Sequence, residues 1–170
     1  LLCATMVATM FAGCGSKESS DNATTPDTSK ADTSSEVTAP AEDTGKVLNI
    51  YCWNEEFKSR ITAHYPDYKE VDATHGKIGD VDVVWNITPS DDNAYQNNLD
   101  AALLNQQDAP ADDKIDIFLV EADNALKYVD TDYTAPVKDL GITDADLSKQ
   151  YQYTKDIVTD SKGVLKGVSW

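Results

Sequence analysis

The pattern of polar and apolar positions separates a polar stretch near the N-terminus from a regularly patterned remainder. Residues 15–44 are mostly Ser, Thr, Asp, Glu, Ala, Pro and Lys, and Val37 is their only large aliphatic residue. Such a composition buries too little apolar surface to offset the conformational entropy lost on folding. This stretch is therefore predicted to be a solvated tether, and folded structure is predicted from Lys46 onward.

Beyond the tether, apolar runs typical of buried strands alternate with helical patterns. The predicted strands span residues 46–53, 81–87 and 114–120. The predicted helices span residues 54–65, 89–107 and 123–129. Alternation of strand and helix three times over predicts an α/β fold with a parallel sheet flanked by helices and right-handed crossovers.

The predicted helices begin at residues that are common caps. Asn54 is expected to cap the first helix, which Pro66 ends, and Ser90 or Asp91 is expected to cap the second. Helical spacing predicts that one apolar face of the second helix is formed by Tyr95, Leu99, Ala102 and Leu103.

The pattern loosens after Tyr133. We expect a loop and then a helix capped by Thr143 or Asp144 within residues 136–151. Two short strands around an Asp-Ser-Lys-Gly turn are expected within residues 155–170. Because the sequence stops at Trp170 in mid-pattern, we expect a fragment truncated at both ends.

Charge narrows the possible partners. The 170 residues include 14 basic and 30 acidic side chains, a formal net charge of -16. Phosphates would be repelled by this balance, so no nucleic-acid partner is expected. The length suits one domain with appendages.

Residues 1–12 are apolar or small. The segment is shorter than the roughly 20 residues that a helix needs to cross a bilayer. It is typical of the apolar region of a secretory signal, and a buried N-terminal helix is the alternative.

Cys14 follows Phe11-Ala12-Gly13 at the end of that segment, where it could be a core thiol, a disulfide partner or a covalent attachment point. Small residues before a cysteine resemble the bacterial lipobox, although Phe11 stands where Leu is usual. The resemblance implies that residues 1–13 are a partial signal peptide and that Cys14 carries the lipid. Residues 14–45 would then be the lipidated cysteine and its disordered tether, outside the bacterial cytoplasmic membrane.

Residues that could carry catalysis have simpler interpretations. Cys52 lies in an apolar strand and is expected to be a core thiol, while His64 and His75 are expected in surface or capping roles. Neither a GxSxG elbow nor a calcium loop is present in the sequence. Most acidic pairs lie at predicted helix starts, where capping accounts for them. We therefore expect no catalytic residue, metal or cofactor.

Ligand binding is better supported. In open parallel sheets, ligands bind outside the carboxyl ends of the strands. There the sequence places "CWNEE", "NITPSDDNAY" and "VEADNA", which combine aromatic rings with carboxylates and amides. Rings that stack on C–H faces and carboxylates that accept hydroxyl hydrogen bonds suit a sugar.

Several segments in order resemble the extracellular solute-binding proteins of bacterial ABC importers, especially those of the carbohydrate type. They are "KVLNIYCWNEEFKSRITAHY", "DKIDIFLVEADNALKYV", "APVKDLGIT" and "TDSKGVLKGVSW", preceded by the lipobox and the acidic tether. The resemblance implies that residues 46–170 are the first lobe of a type II periplasmic-binding-protein-like fold, with the second lobe largely missing.

The resemblance also implies a non-enzymatic function, in which the protein captures a sugar or oligosaccharide and delivers it to the membrane permease subunits. By motif position, it places solute contacts at Trp53, Asn54, Glu55, Glu121, Asp123 and Trp170. The alternatives are a lipid-anchored polysaccharide hydrolase that uses paired carboxylates, and an adhesion or signalling lipoprotein.

Overall fold

The structure, a computed structural model, describes residues 45–170. Cys14, the predicted signal peptide and nearly all of the predicted tether lie outside the described residues. The α/β prediction is confirmed, because this part of the chain forms a mixed five-stranded sheet flanked by helices.

The strands lie in the order β2-β3-β4-β1-β5. Their bounds are β1 Val47–Cys52, β2 Tyr68–Glu70, β3 His75–Ile78, β4 Val81–Ile87 and β5 Ile117–Phe118. β1 is parallel to both β4 and β5, whereas β2 and β3 pair in antiparallel fashion with each other and β3 does so with β4. The prediction of a parallel sheet is thus right for β4-β1-β5 and wrong for the β2–β3 hairpin, which the sequence patterns had not indicated.

Within the described residues, four α-helices connect or follow these strands. They are α1 Glu56–His64, α2 Ala94–Asn105, α3 Leu126–Val129 and α4 Gln152–Asp156. Within residues 45–170, no helix has the length and apolar character required to cross a membrane.

β1, the middle strand of the parallel part β4-β1-β5, contributes side chains to both faces of the sheet, because successive side chains of a strand point to opposite sides. Ile50 and Cys52 belong to a core that includes Val83 and Trp85, against which α1 packs. Tyr51 instead packs on the core formed by α2. Helices α1 and α2 therefore cover opposite faces of the sheet. The crossover from β1 to β4 and the crossover from β4 to β5 run in opposite directions along the sheet, so crossovers of the same handedness place their helices on opposite faces.

The core beneath α1 combines aromatic rings with a buried thiol. Trp85 Nε1 donates to the Tyr68 hydroxyl at 2.9 Å, and the Trp85 ring meets Phe57 edge to face. Cys52 is 1% exposed, and its burial raises the pKa of the thiol to about 11. The prediction that Cys52 is a core thiol is confirmed, because the thiol is neutral and shielded from reagents at neutral pH.

The apolar face of α2 was predicted correctly, since Tyr95, Leu99 and Leu103 are all buried. Its cap was not. The helix begins at Ala94 after Asn93, and neither Ser90 nor Asp91 caps it. In α1 the N-cap is Glu55 rather than Asn54, although the Asn54 side-chain oxygen still accepts the backbone N–H of Glu56 at 2.9 Å.

The third predicted strand is much shorter than expected. Side-chain amides take the place of ladder partners before Ile117: Gln106 bonds both the N–H and the carbonyl of Ile115 at 2.8 Å. Asn49 donates to the carbonyls of Asp112 and Lys114 at 2.8 and 2.9 Å. These bonds satisfy the backbone without a strand, so only Ile117–Phe118 pairs with β1.

The segment after Tyr133 departs most from expectation. Thr143 and Asp146 bond reciprocally as in a helix cap, yet only turns follow, and the predicted helix is absent from this stretch of the described chain. The turn at Asp160 is confirmed, with Gly163 at φ 80°. The two predicted strands around it reduce to one antiparallel bridge between Thr159 and Leu165.

Candidate functional site

The carboxyl ends of β4, β1 and β5 lie on one edge of the sheet, which we call the carboxyl edge. The backbone N–H of Thr88, just after β4, donates to the Cys52 carbonyl at 3.0 Å. The N–H of Leu119, just after β5, donates to the Tyr51 carbonyl at 3.0 Å. The loops that follow these three strands therefore leave the sheet side by side.

The chain order reverses at β1. From β1 the chain crosses to β4 on one side, and from β4 it returns past β1 to β5 on the other. In sheets of this kind, the helices on opposite faces leave a crevice outside the strand ends at the point of reversal. Here that point lies between the loop after β1 and the loop after β5.

The loop after β1 carries three of the predicted contact residues. Trp53 is half-buried and meets Tyr95 edge to face, with ring centroids 5.6 Å apart. Asn54 and Glu55 are exposed, and the Asn54 oxygen is bonded to the start of α1. This loop thus offers the surface of an indole ring, an amide N–H₂ group and a carboxylate to a ligand.

The loop after β5 carries two more. Glu121 and Asp123 are exposed, and the backbone turns sharply because the N–H of Asn124 donates to the Glu121 carbonyl at 2.9 Å. The Asn124 amide also donates to the Asp123 carboxylate at 3.3 Å. The structure therefore places five of the six predicted residues on the two loops that flank the reversal point.

Tyr95 holds these two loops in register. It is 2% exposed, and its hydroxyl lies 3.0 Å from the Tyr51 carbonyl and 2.6 Å from the Leu119 carbonyl, at the ends of β1 and β5. Burial is the main cause that raises the pKa of this phenol, so the hydroxyl keeps its proton to donate. The helical pattern marked Tyr95 as apolar core, and no sequence signal indicated the role of its hydroxyl.

The loop after β4 has an unusual backbone. Asp92 and Asn93 both adopt the left-handed region, at φ 51° and 60°, directly before α2. Asp and Asn tolerate that region better than most residues, which accounts for their presence here. Two buried side-chain oxygens nearby, Ser90 Oγ and Gln96 Oε1, have no hydrogen-bond partner among residues 45–170.

Trp170, the sixth predicted residue, lies elsewhere. It is 54% exposed, and its ring meets Phe57 edge to face with centroids 5.2 Å apart. Phe57 is the second residue of α1, so Trp170 lies at the start of that helix, on the α1 face of the sheet.

A groove of about 310 Å³ lies between α1 and β2, next to the loop after β1. Its lining residues are Glu55, Lys58, Ser59, Thr62, Ala63 and Glu70. The Lys58 ammonium already has two hydrogen-bond partners, because it donates to Glu70 at 3.0 Å and to the Ala73 carbonyl at 2.7 Å. Glu55 is the lining residue that also belongs to the loop after β1 at the carboxyl edge.

Neither histidine lies on the loops of the carboxyl edge. His75 is exposed in the β2–β3 hairpin, where its Nδ1 lies 2.9 Å from Asp72, and His64 is exposed at the end of α1. Hydrogen bonds from the Thr74 backbone and from His75 lower the pKa of Asp72 to about 2. Both histidines have the surface positions that were predicted for them.

Comparisons of the chain with protein-family models, with curated proteins and with solved structures match none of them.

Proposed function

We propose that this protein is the extracellular solute-binding component of a bacterial ABC importer, and that it captures a sugar at the carboxyl edge and delivers it to the permease subunits. The observation that carries the proposal is the convergence of the loops after β1 and β5 at the reversal point of the sheet. Crevices at this position are the usual ligand sites of doubly wound α/β sheets.

The groups on the two loops match the chemistry of a polyol. The Trp53 ring provides an apolar surface for the C–H face of a pyranose. Exposed carboxylates at Glu55, Glu121 and Asp123 can accept hydrogen bonds from several sugar hydroxyls. Since Tyr95 ties the two strand ends, the loops are held in place before the ligand arrives, which lowers the entropic cost of binding.

In the proposed architecture, residues 46–170 are the first lobe of a type II periplasmic-binding-protein-like fold. A second α/β lobe would close over the solute, and ATP would be hydrolysed by a different subunit of the transporter. Cys14 would carry the lipid that anchors the protein outside the cytoplasmic membrane. The protein itself would catalyse no reaction and hold no cofactor.

The test compares Glu55→Gln with Glu56→Gln in the full-length protein. A thermal-shift screen against mono- and oligosaccharides, amino acids, peptides and metal ions first identifies the solute, and calorimetry then measures its affinity. Replacing the Glu55 carboxylate at the carboxyl edge is expected to weaken sugar binding about 10-fold, as expected for loss of a hydrogen bond to a charged group.

Glu56 is the matched control. It is exposed and adjacent in sequence, but its carboxylate faces Arg60 along α1 at 3.3 Å. Its replacement should leave sugar affinity unchanged. If no sugar raises the melting temperature while another solute class does, the carbohydrate assignment fails. If the added oligosaccharide is cleaved, the protein is a hydrolase instead.

A further inference from the structure

The loop after β5 continues directly into α3, the single helical turn Leu126–Val129. Backbone hydrogen bonds run through this junction. The Glu121 carbonyl accepts the Asn124 N–H at 2.9 Å, and the Asn124 carbonyl accepts the Lys127 N–H at 3.1 Å. The backbone at Glu121 is therefore linked through two successive turns to the position of α3.

A helical turn as short as α3 is not stable by itself, because helix nucleation fixes three residues for one hydrogen bond. Contacts with the rest of the molecule must hold it. Tyr128 and Val129 are buried, and the Tyr128 ring meets Phe118 of β5 edge to face with centroids 5.4 Å apart. Leu126 is 69% exposed, so apolar packing holds α3 on one side only.

Asp100 of α2 supplies a polar attachment for the same turn. One oxygen of its carboxylate accepts the Tyr128 hydroxyl at 3.0 Å, and the other pairs with the Lys127 ammonium. The Asp100 side chain is 34% exposed, so water screens this contact less than it screens a fully exposed ion pair. Both carboxylate oxygens are thus used to hold α3 against α2.

The loop after β5 is therefore attached to α2 at both ends. At its start, the Leu119 carbonyl accepts the Tyr95 hydroxyl, and at its end α3 is bonded to Asp100. Tyr95 and Asp100 are both residues of α2. Between the two attachments lie Glu121 and Asp123, the carboxylates that this loop would offer to a sugar.

We propose that Asp100 is a positioning residue of the sugar site, which acts through α3 on Glu121 and Asp123 and does not touch the solute. This inference rests on the proposed function and makes it more specific. A loop with two fixed ends holds its carboxylates in place before a sugar arrives, and less order has to be gained on binding.

The first measurement is amide hydrogen exchange in the full-length protein without solute. Asp100→Ala removes both contacts to α3. Loss of a hydrogen bond to a charged group should raise the equilibrium constant for opening of α3 about 10-fold, so the Asn124 and Lys127 amides should exchange faster. Exchange in β1 should not change. If β1 accelerates as much as the loop, or if the loop does not accelerate, the inference is overturned.

Two further variants test the contacts one at a time. Tyr128→Phe keeps the ring that packs on Phe118 and loses only the hydroxyl, so it should produce part of the Asp100→Ala effect. Asp82→Asn is the matched control, because it also removes an exposed carboxylate that pairs with a lysine, Lys77. Asp82 lies near the start of β4, away from the carboxyl edge, and its replacement should leave exchange in the loop unchanged. Equal acceleration by Asp82→Asn would overturn the inference.

The second measurement tests whether the loop carboxylates transmit the effect to the solute. Calorimetry uses glucose, maltose, cellobiose and xylobiose as probes. If about one third of the Asp100→Ala molecules keep the loop in place, affinity for a sugar that binds falls about 3-fold. In the Glu121→Gln/Asp123→Asn background, Asp100→Ala should have little further effect, because the groups that it positions have already been altered. Losses that simply add would overturn the inference.

The outcomes distinguish this inference from the proposed function. If the wild-type protein binds no sugar, both fail. If it binds a sugar and Asp100→Ala speeds exchange in the loop without weakening that binding, Asp100 has a structural role only. In that case the positioning role is overturned and the proposed function stands.

Discussion

Two regions of this molecule are stabilised by different kinds of interaction. Residues 45–129 form the sheet and its two apolar cores, in which Leu99, Val83 and Trp85 are almost fully buried. Residues 130–170 contribute only Val137 and Leu147 to the buried hydrophobic residues of the described chain. The first region is stabilised mainly by apolar burial, and the second must rely on other contacts.

Polar contacts between side chains and backbone hold the second region. Asp130 accepts the Ser161 N–H and hydroxyl at 2.8 and 2.6 Å, and Lys166 donates to the Thr134 carbonyl at 2.8 Å. Asp160 organises its own turn by accepting the Val164 N–H at 2.7 Å. Such exposed contacts are individually weak. The comparison therefore predicts that core substitutions will affect the whole fold, whereas substitutions in residues 130–170 will act locally.

The largest effect is expected in the core beneath α2. Leu99→Ala should lower the free energy of unfolding by about 2–5 kcal/mol, because it removes a fully buried side chain and leaves a cavity. Leu104→Ala, in the same helix at a position that is 73% exposed, should change it by less than about 0.5 kcal/mol. Urea denaturation measures both. Equal effects would contradict the view that α2 is held by its apolar face.

An intermediate effect is expected at the link between the core and the carboxyl edge. Tyr95→Phe removes the hydroxyl that bonds the strand ends and leaves the buried Leu119 carbonyl without this partner. The free energy of unfolding should fall by about 1 kcal/mol. Sugar affinity should fall as well, because the two loops lose their common anchor. Tyr133→Phe alters an exposed ring and serves as the control. A stability loss with unchanged affinity would show that Tyr95 does not position the site.

The smallest effect is expected in residues 130–170. Hydrogen bonds from Ser161, its side chain first and its backbone second, lower the pKa of Asp130. Because the folded state favours the carboxylate, this contact contributes fully above the ordinary aspartate pKa of about 3.9 and is lost as the pH falls through the lower folded-state pKa. Asp130→Asn should therefore speed amide hydrogen exchange around Ser161 and leave exchange in β1 unchanged. In the wild-type protein, acid should lower the protection of the same amides relative to their intrinsic exchange rates at that pH.

The Asp130→Asn variant can also contradict the comparison between the two regions. If Asp130→Asn accelerates exchange throughout the sheet, the two regions unfold as one unit and the polar contacts matter more than their exposure suggests.

The sheet region was predictable to the extent that its elements follow hydrophobic periodicity. β4 has the bounds that the pattern predicted, and of the predicted face of α2 Tyr95, Leu99 and Leu103 are buried while Ala102 is partly buried. The β2–β3 hairpin was missed because its strands are short and polar. Its clearest requirement is tertiary: a Cβ on Gly76 would lie 2.3 Å from the Tyr68 ring, so only glycine fits there.

The candidate site was predictable in its loops but not in its supports. The two loops were selected because they lie at the ends of predicted strands, and parallel pairing places them together. The contact residues within them were taken from the family resemblance: Trp53, Asn54, Glu55, Glu121 and Asp123. The hydroxyl contacts of Tyr95 depend on where α2 packs against the sheet. No local pattern contains that information.

The sequence by itself determined the strands β1 and β4, the helices α1 and α2 and which loops follow those strands, because hydrophobic periodicity is a local property. Only the tertiary structure decided the strand order, the reversal point between β1 and β5 and the Tyr95 link. These features join residues that are far apart in sequence. They depend on packing and on long-range hydrogen bonds, which the chain specifies only once it has folded.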